Sequence, residues 1–420
     1  MNILNIRFRL IGSELIQLQI IYNCIIKFFI GHLHVPASAN YLTDVITLIL
    51  LWLMIKDGNL RIKRTSSNLW IFCFIVCTVI SFFVNGYSPF LYFWGARNIF
   101  RFFIFFSACI YFLKKEDIDK IFSFLEVLFW INVGLALFQR WILHYIGDGS
   151  SGLYSLGNMS GGNGSINVLM CIVIALQISK YLTKEKNLVH ILVYIIAACV
   201  VASSIELKIF FIEILVLIIF TVAAQGASEK GLVLAVVGLI LLNYGTALLE
   251  RIYPAWEGIF NIQELILSSQ TYGTEDKIGR LSGMSYMMDN FLKNPMEKLF
   301  GIGFGNADYS SGFSIFTSNF YQKYGDIGYV FFSSAWLILE TGIIGVTFYL
   351  LTFGSTFWKS WKLRKERSKY VYFSIFSSII VFMQFFYNQM LRVETSGYLL
   401  QFCLAVIFVY RKEKKKGKEL

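Results

Sequence analysis

The feature that most constrains this chain is the order of its hydrophobic segments: nine apolar stretches, a long mixed region over residues 249–329, then three further apolar stretches. Each runs to roughly 17–24 residues, the length a helix needs to cross about 30 Å of hydrocarbon. Their centres fall near residues 20, 49, 76, 105, 131, 173, 196, 217, 239, 341, 379 and 402. With 56% hydrophobic and 15% charged residues and a mean hydropathy of +0.62, a water-soluble fold would expose far too much apolar surface. The expected fold class is an all-α polytopic membrane protein of about twelve transmembrane helices, one membrane domain over residues 1–420.

Orientation follows from the loop cations, because Lys and Arg are retained on the cytoplasmic side of short loops. Alternate segments, from Arg7 and Arg9 to the basic tail at 411–420, carry 25 of the 37 Lys and Arg residues. Both termini are therefore expected in the cytoplasm, and residues 249–329 form one large extracytoplasmic loop between spans nine and ten. The same cations account for most of the net charge of +11, so the acidic partner they imply is membrane lipid, not nucleic acid. Ile11 to Ile30 lacks a small-residue cleavage site and carries Glu14 and Lys27, so it reads as a first span and not as a cleaved signal.

Several chemistries find no support. All seven cysteines lie within apolar stretches, where a thiol behaves as a small hydrophobe. Asp117 and Asp119 form the one Asp-x-Asp, inside the charge run 114–120, and His32, His34 and Asp44 fall short of a ligand signature. No metal and no cofactor are expected. The four prolines, at 36, 89, 254 and 295, all lie between spans, and no internal repeat is present, which argues against a transporter built on broken helices.

Cations on the outer side are few and therefore informative, since an Arg near hydrocarbon needs a counter-ion or a ligand. Arg97 and Arg101 are i,i+4 neighbours at the outer end of the fourth span, placed to grip one anion together or to snorkel. Lys208 follows a short turn beside Glu206, and Arg392 lies in another beside Glu394. Each reads either as a local ion pair or as a contact to a lipid diphosphate.

In the large loop, Leu281, Met284, Met288, Phe291 and Leu292 recur at near-helical spacing, which predicts a short amphipathic helix ended before Pro295. Arg280 stands at its start, where a guanidinium and free backbone N–H groups both attract phosphate. Gly301, Gly303 and Gly305 follow, a run that admits close backbone approach to a bulky substrate. The loop aromatics, among them Tyr272, Tyr309, Phe313, Phe316 and Tyr321, read as stacking platforms for sugars or as the loop's own core. Glu340, an isolated carboxylate inside a span, reads as structurally paired.

Three pieces in order carry a resemblance: Gly157–Asn163 ahead of the sixth span, Gly279-Arg280 followed by Pro295 and Gly301–Gly305, and Leu339–Gly345 in the tenth. Together with the span pattern they resemble the Wzy-type polymerases of O-antigen and capsular polysaccharide, in the O-antigen polymerase and ligase superfamily. The resemblance implies a GT-C-like glycosyltransferase in the bacterial plasma (inner) membrane. It would join undecaprenyl-diphosphate-linked oligosaccharide repeat units at the outer face, with a chain-length regulator protein as a partner. Arg280 would steady the diphosphate, with Arg97, Arg101, Lys208 and Arg392 as further contacts, and Asn163 with the three glycines would belong to the glycan or loop motif. The chain departs from the pattern at Ser203-Ser204, with Lys208 about a turn later, and at Val330–Ser334.

The expected reaction is attack of an acceptor hydroxyl on the anomeric carbon as undecaprenyl diphosphate departs, its charge stabilised by cations without metal. Asp326 is the candidate general base and Asp308 its rival. The alternatives are a ligase that transfers the lipid-linked glycan to another acceptor and, from another class, a lipid-linked oligosaccharide flippase or transporter.

Overall fold

The structure, a computed structural model, describes residues 3–57, 65–85, 88–157, 161–225, isolated positions between 229 and 240, and 278–416. Most of the ninth span, and loop residues 249–277 with Tyr272 among them, lie outside the described residues.

Among the described residues the chain is nearly all helical, with no strand. In chain order the helices are α1 (Ile3–His32), α2 (Leu42–Lys56), α3 (Ser66–Asn85), α4 (Pro89–Phe112), α5 (Lys115–Trp141), α6 (Asn163–Leu182), α7 (Leu188–Ser204) and α8 (Lys208–Gln225). The short α9 (Gly283–Asn290), α10 (Pro295–Phe300) and α11 (Asn319–Tyr324) follow. The long α12 (Ser333–Lys362), α13 (Lys369–Tyr387) and α14 (Glu394–Lys416) complete the bundle. Nine helices among the described residues are long and apolar enough to cross a membrane. α7, with 17 residues, stands at the lower limit of length for a crossing, and α14 ends in a run of cations that dilutes its apolar stretch.

A helix apolar on every side belongs either in the core or against lipid, and the bundle uses both places. α6 is its centre: 94% of its apolar window is buried, against 33% for each of the first three spans. α13 packs on α6 and α12, α14 packs on α4, and α3 packs along α12. The first spans turn side chains such as Trp52, Phe72 and Phe83 outward. In lipid such packing rests on close van der Waals contact and interhelical hydrogen bonds, because the tails are as apolar as the side chains.

Pro89 and Pro295 occupy the first turns of α4 and α10, where the missing N–H costs nothing. One span is nevertheless broken, and by glycine: Gly342 inside α12 has φ 62° and ψ −169°. The expectation of unbroken helices, read from the proline positions, fails here. The backbone groups freed by the break find partners, as membrane depth demands. Leu339 C=O accepts the Ile302 N–H at 2.8 Å, and the Ser81 hydroxyl lies 3.4 Å from Glu340 C=O while donating at 2.7 Å to Phe300 C=O at the end of α10. The end of α10 that presses on the break is held in turn by Asn85, whose Nδ2 donates to Gly301 C=O at 3.0 Å.

A buried polar thread supports the turn after α13. Glu213 of α8 accepts from Asn167 Nδ2 at 2.7 Å and from Gln384 Nε2 at 2.5 Å. Gln384 Oε1 in turn accepts from Asn388 Nδ2 at 2.6 Å. Asn388 opens the turn 388–393, which carries Arg392.

Candidate functional site

The cationic residues singled out from the sequence fall at one end of the bundle, on either side of turn 388–393. On the first side lies a cavity of about 550 Å³, inside the usual range for ligand pockets. Four cations line it, Lys27, Arg97, Arg101 and Arg392, with Glu394 the one carboxylate among its described lining residues.

The i,i+4 spacing of Arg97 and Arg101 does bring both onto one anion, which is this chain's own Asp44. Arg97 Nε and Nη2 donate to Asp44 Oδ2 at 2.9 and 2.5 Å. Arg101 Nη1 donates to Asp44 Oδ1 at 3.2 Å and to Glu394 Oε1 at 2.8 Å, and Nη2 donates to Arg392 C=O at 3.2 Å. Arg101 is buried, its side chain 6% exposed. Snorkelling to water is therefore excluded for it, and its burial requires these partners.

Arg392 and Glu394 do not pair locally, as their sequence proximity suggested. Arg392 Nη2 reaches Asp308 Oδ1 at 2.5 Å, and its guanidinium lies 3.7 Å from the ring centre of Trp336. Asn98 Nδ2 donates to the other Asp308 oxygen at 2.6 Å and its own Oδ1 accepts from Arg97 at 2.8 Å. One continuous network therefore runs from Asp44 through Arg97 and Asn98 to Asp308 and Arg392. Burial opposes the charge on Arg392, but Asp308 and Glu340 outweigh it and hold the pKa above the ordinary arginine value. Asp308 is fully buried, so it faces its partners Arg392, Asn98 and the Tyr309 N–H and not the cavity.

The cavity's rim comes from the glycine-rich loop and α4. Trp94 stacks on Phe316 with ring centres 4.7 Å apart, and Tyr309 stacks on Tyr321 at 4.4 Å. Trp94 Nε1 donates to Tyr309 C=O at 3.0 Å. The loop aromatics thus pack on one another, while Tyr309, Phe313, Tyr41 and Trp94 also face the cavity.

Gly301, Gly303 and Gly305 are buried, and the close approach they allow is to the protein's own backbone. A Cβ on Gly301 would stand 2.3 Å from the Glu340 carbonyl carbon, and one on Gly305 2.0 Å from the Leu91 oxygen. Glu340 Oε1 accepts the Ala307 N–H at 3.0 Å, the structural pairing expected of it. Tyr329, whose hydroxyl donates to Ala307 C=O at 2.5 Å, closes the same loop; burial first, then the Glu340 and Asp308 charges, raise its pKa.

Arg280, Asn163 and Lys208 lie on the other side of turn 388–393 and do not line the cavity. Arg280 sits 4.0 Å from the ring centre of Tyr387 at the end of α13. Asn163, the first residue of α6, donates to Asp148, and both Arg280 and Glu206 are close enough to act on that carboxylate. Met390 of the turn packs against Gly164 and Ser165, so the turn separates the two groups. Asp326 is exposed on the short 3-10 turn Gly325–Ile327 and does not line the cavity. The amphipathic helix of the loop forms as α9, with Met287 and Leu292 buried. Leu281, expected on its apolar face, is 59% exposed because it precedes the helix start at Gly283.

Lys27, Asn98 and Trp336 were not singled out from the sequence. Lys27 had one available signal, a cation within an otherwise apolar first span. Asn98 and Trp336 had none, since their roles depend on contacts 210 and 56 residues away. Among the described residues no group of three or more His, Cys, Asp or Glu is placed to hold a metal ion. His32 instead stacks on Phe28 at 4.5 Å.

No protein-family model matches the chain, and no curated protein matches it.

Proposed function

We propose that this protein is a membrane glycosyltransferase that polymerises undecaprenyl-diphosphate-linked oligosaccharide repeat units into O-antigen or capsular polysaccharide. In this reading the chain crosses the bacterial plasma membrane twelve times with both termini in the cytoplasm, and the large loop covers the outer face. The observation that carries it is the cavity at the loop end of an apolar bundle, walled by Lys27, Arg97, Arg101 and Arg392 and rimmed by aromatic rings. A polyprenyl diphosphate needs that combination: lipid beside the site, cations for the phosphates and aromatic faces for the sugars.

The carboxylates compensate the guanidiniums, Asp44 and Asp308 from behind and Glu394 from the cavity wall. Asp44, Asp308 and Glu394 bring three negative charges to the four cations, leaving one positive charge in excess and guanidinium orientations fixed before any ligand arrives. Pre-organised donors of this kind stabilise a charge that develops during reaction. In the reaction the acceptor hydroxyl oxygen bonds to the anomeric carbon, and the bond from that carbon to the diphosphate oxygen breaks. The electron pair leaves with the diphosphate, which Arg97, Arg101, Arg392 and Lys27 receive. The hydroxyl proton passes to a carboxylate. The first of two candidates, Glu394 at the cavity wall, is a weak base, because burial raises its pKa but Arg101, Lys27 and Arg97 outweigh burial and hold it down at about 2. Asp326 is the second if the loop closes over the acceptor, whereas Asp308 positions Arg392. Arg280, Lys208 and Asn163, across turn 388–393, are assigned to the second lipid-linked chain. A chain-length regulator is the expected protein partner.

The test is reconstitution with lipid-linked repeat units. Wild type should give a polymer ladder, and Arg97→Gln/Arg392→Gln should give only single repeats at equal protein level. A normal ladder from that variant, or transfer of single units to a different acceptor without polymer, would overturn the assignment.

A further inference from the structure

The opposite end of the bundle carries a second cavity. Glu394 and Arg411 are 17 residues apart on α14, about 26 Å along a helix, and Arg411 borders a groove between α3, α12 and α14. The groove has a volume of about 550 Å³. Three cations edge it, Lys359 and Lys362 of α12 and Arg411 of α14, and no carboxylate stands among its described lining residues. None of the three has an ion pair among the described residues, in contrast to Lys369 and Lys414 near by, which are paired with Asp119, Glu185 and Glu366.

The remaining walls are those of a membrane surface. Trp70 and Trp358 flank the groove, and Leu351 and Gly354 extend its floor toward the apolar middle of α12. Trp358 is 58% exposed. Lys362 lies 5.1 Å from the Trp358 ring centre and Lys359 4.2 Å from that of Phe408. The ammonium groups of both lysines therefore lie over aromatic faces beside the groove, and Trp and Lys together are the pair found where a helix meets lipid headgroups. Arg411 and Lys415 also act electrostatically on Lys359. Cations set this close, with no carboxylate among the described lining residues, repel one another until an anion joins them.

We propose that this groove is a binding site for one anionic phospholipid. Its phosphate sits among Lys359, Lys362 and Arg411, its glycerol end lies between Trp70 and Trp358, and an acyl chain runs along Leu351 and Gly354. Charge complementarity selects an anionic headgroup over a zwitterionic one, and the apolar floor, continuous with the lipid-facing side of α12, selects a lipid over a free anion. The site is independent of the glycosyltransferase reading.

The experiment is native mass spectrometry of the full-length protein released from detergent, loaded with phosphatidylglycerol, with phosphatidylcholine, or with phosphatidylglycerol in the presence of inorganic phosphate. One phosphatidylglycerol should be retained and phosphatidylcholine should not, and phosphate should not displace the bound lipid. Lys359→Gln/Arg411→Gln should weaken retention about 25-fold, at about fivefold per cation removed. Lys184→Gln/Lys186→Gln, which removes the same charge from an exposed turn at the same end, should leave it unchanged. Gly354→Leu keeps every charge and suits a helix. Its side chain enters space in which a Cβ meets nothing within 4 Å, so it too should weaken retention, by filling the groove. Equal binding of both lipids, equal loss from the Lys184/Lys186 variant, displacement by phosphate, or full retention by Gly354→Leu would each overturn the proposal.

Discussion

Arg101 is the most instructive residue to perturb, because it joins two carboxylates that lie 350 residues apart in sequence. Arg101→Gln removes three donor contacts, to Asp44, Glu394 and Arg392 C=O. Asp44 keeps Arg97, but Glu394 is left with Arg97 at 3.9 Å as its nearest partner. Breaking one side of a buried pair costs about 3–5 kcal/mol, most of it from the stranded charge. At about 2.1 cal/mol/K of unfolding entropy per residue, 420 residues give about 0.9 kcal/mol/K, so the unfolding midpoint should fall by about 3–6 °C. Arg101→Gln/Glu394→Gln removes both charges together and should recover more than half of that loss, while polymer formation stays absent. The assay pairs thermal unfolding of purified protein with a polymer ladder from the same preparation. A double variant no more stable than Arg101→Gln would refute the stranded-charge argument, and a normal ladder from it would remove Arg101 from the anion site.

Arg392→Lys should keep the protein folded yet lower polymer yield by about tenfold or more, because an ammonium cannot both stack on Trp336 and hold Asp308; the rate of repeat-unit consumption measures it. Reconstituted protein in excess chelator should retain full polymer yield, and loss of yield restored by magnesium or manganese would place the chemistry on a divalent ion. On a cysteine-free background, Ser311→Cys should react with an impermeant thiol reagent from outside the cell and Lys184→Cys should not; the reverse pattern would invert the topology. Gly342→Ala should reduce accumulation of folded protein and lower its unfolding midpoint. At φ 62° with an extended ψ the position suits glycine alone, and a Cβ there would stand 2.4 Å from the Leu299 carbonyl carbon.

The span pattern was legible because the length of an apolar run is a local property, and nine helices of suitable length and composition among the described residues follow it. The helix ahead of Pro295 was legible for the same reason, since periodicity and a proline stop act within a few residues. Broken α12 was not. A Gly-Ile-Ile-Gly stretch reads as an ordinary small-residue face until the backbone of Leu299 and Phe300 is seen pressed against Gly342.

The site divides in the same way. By itself the sequence determined that Arg97 and Arg101 share a helix face, that Arg392 stands in a short turn, and that few cations occupy this end. These follow from a 3.6-residue repeat and from the cost of charge in hydrocarbon. Only the tertiary structure decided which carboxylate each cation meets. Asp44, Asp308 and Glu394 come from three distant segments, and their pairing with arginines on α4 and in turn 388–393 depends on how α2, α4 and α14 pack. Tertiary packing also separated Arg280 and Asn163 from the cavity and brought Lys27 to it. Side-chain charge is written in the chain, but a counter-ion is chosen by proximity in space, which hydrophobic periodicity does not encode.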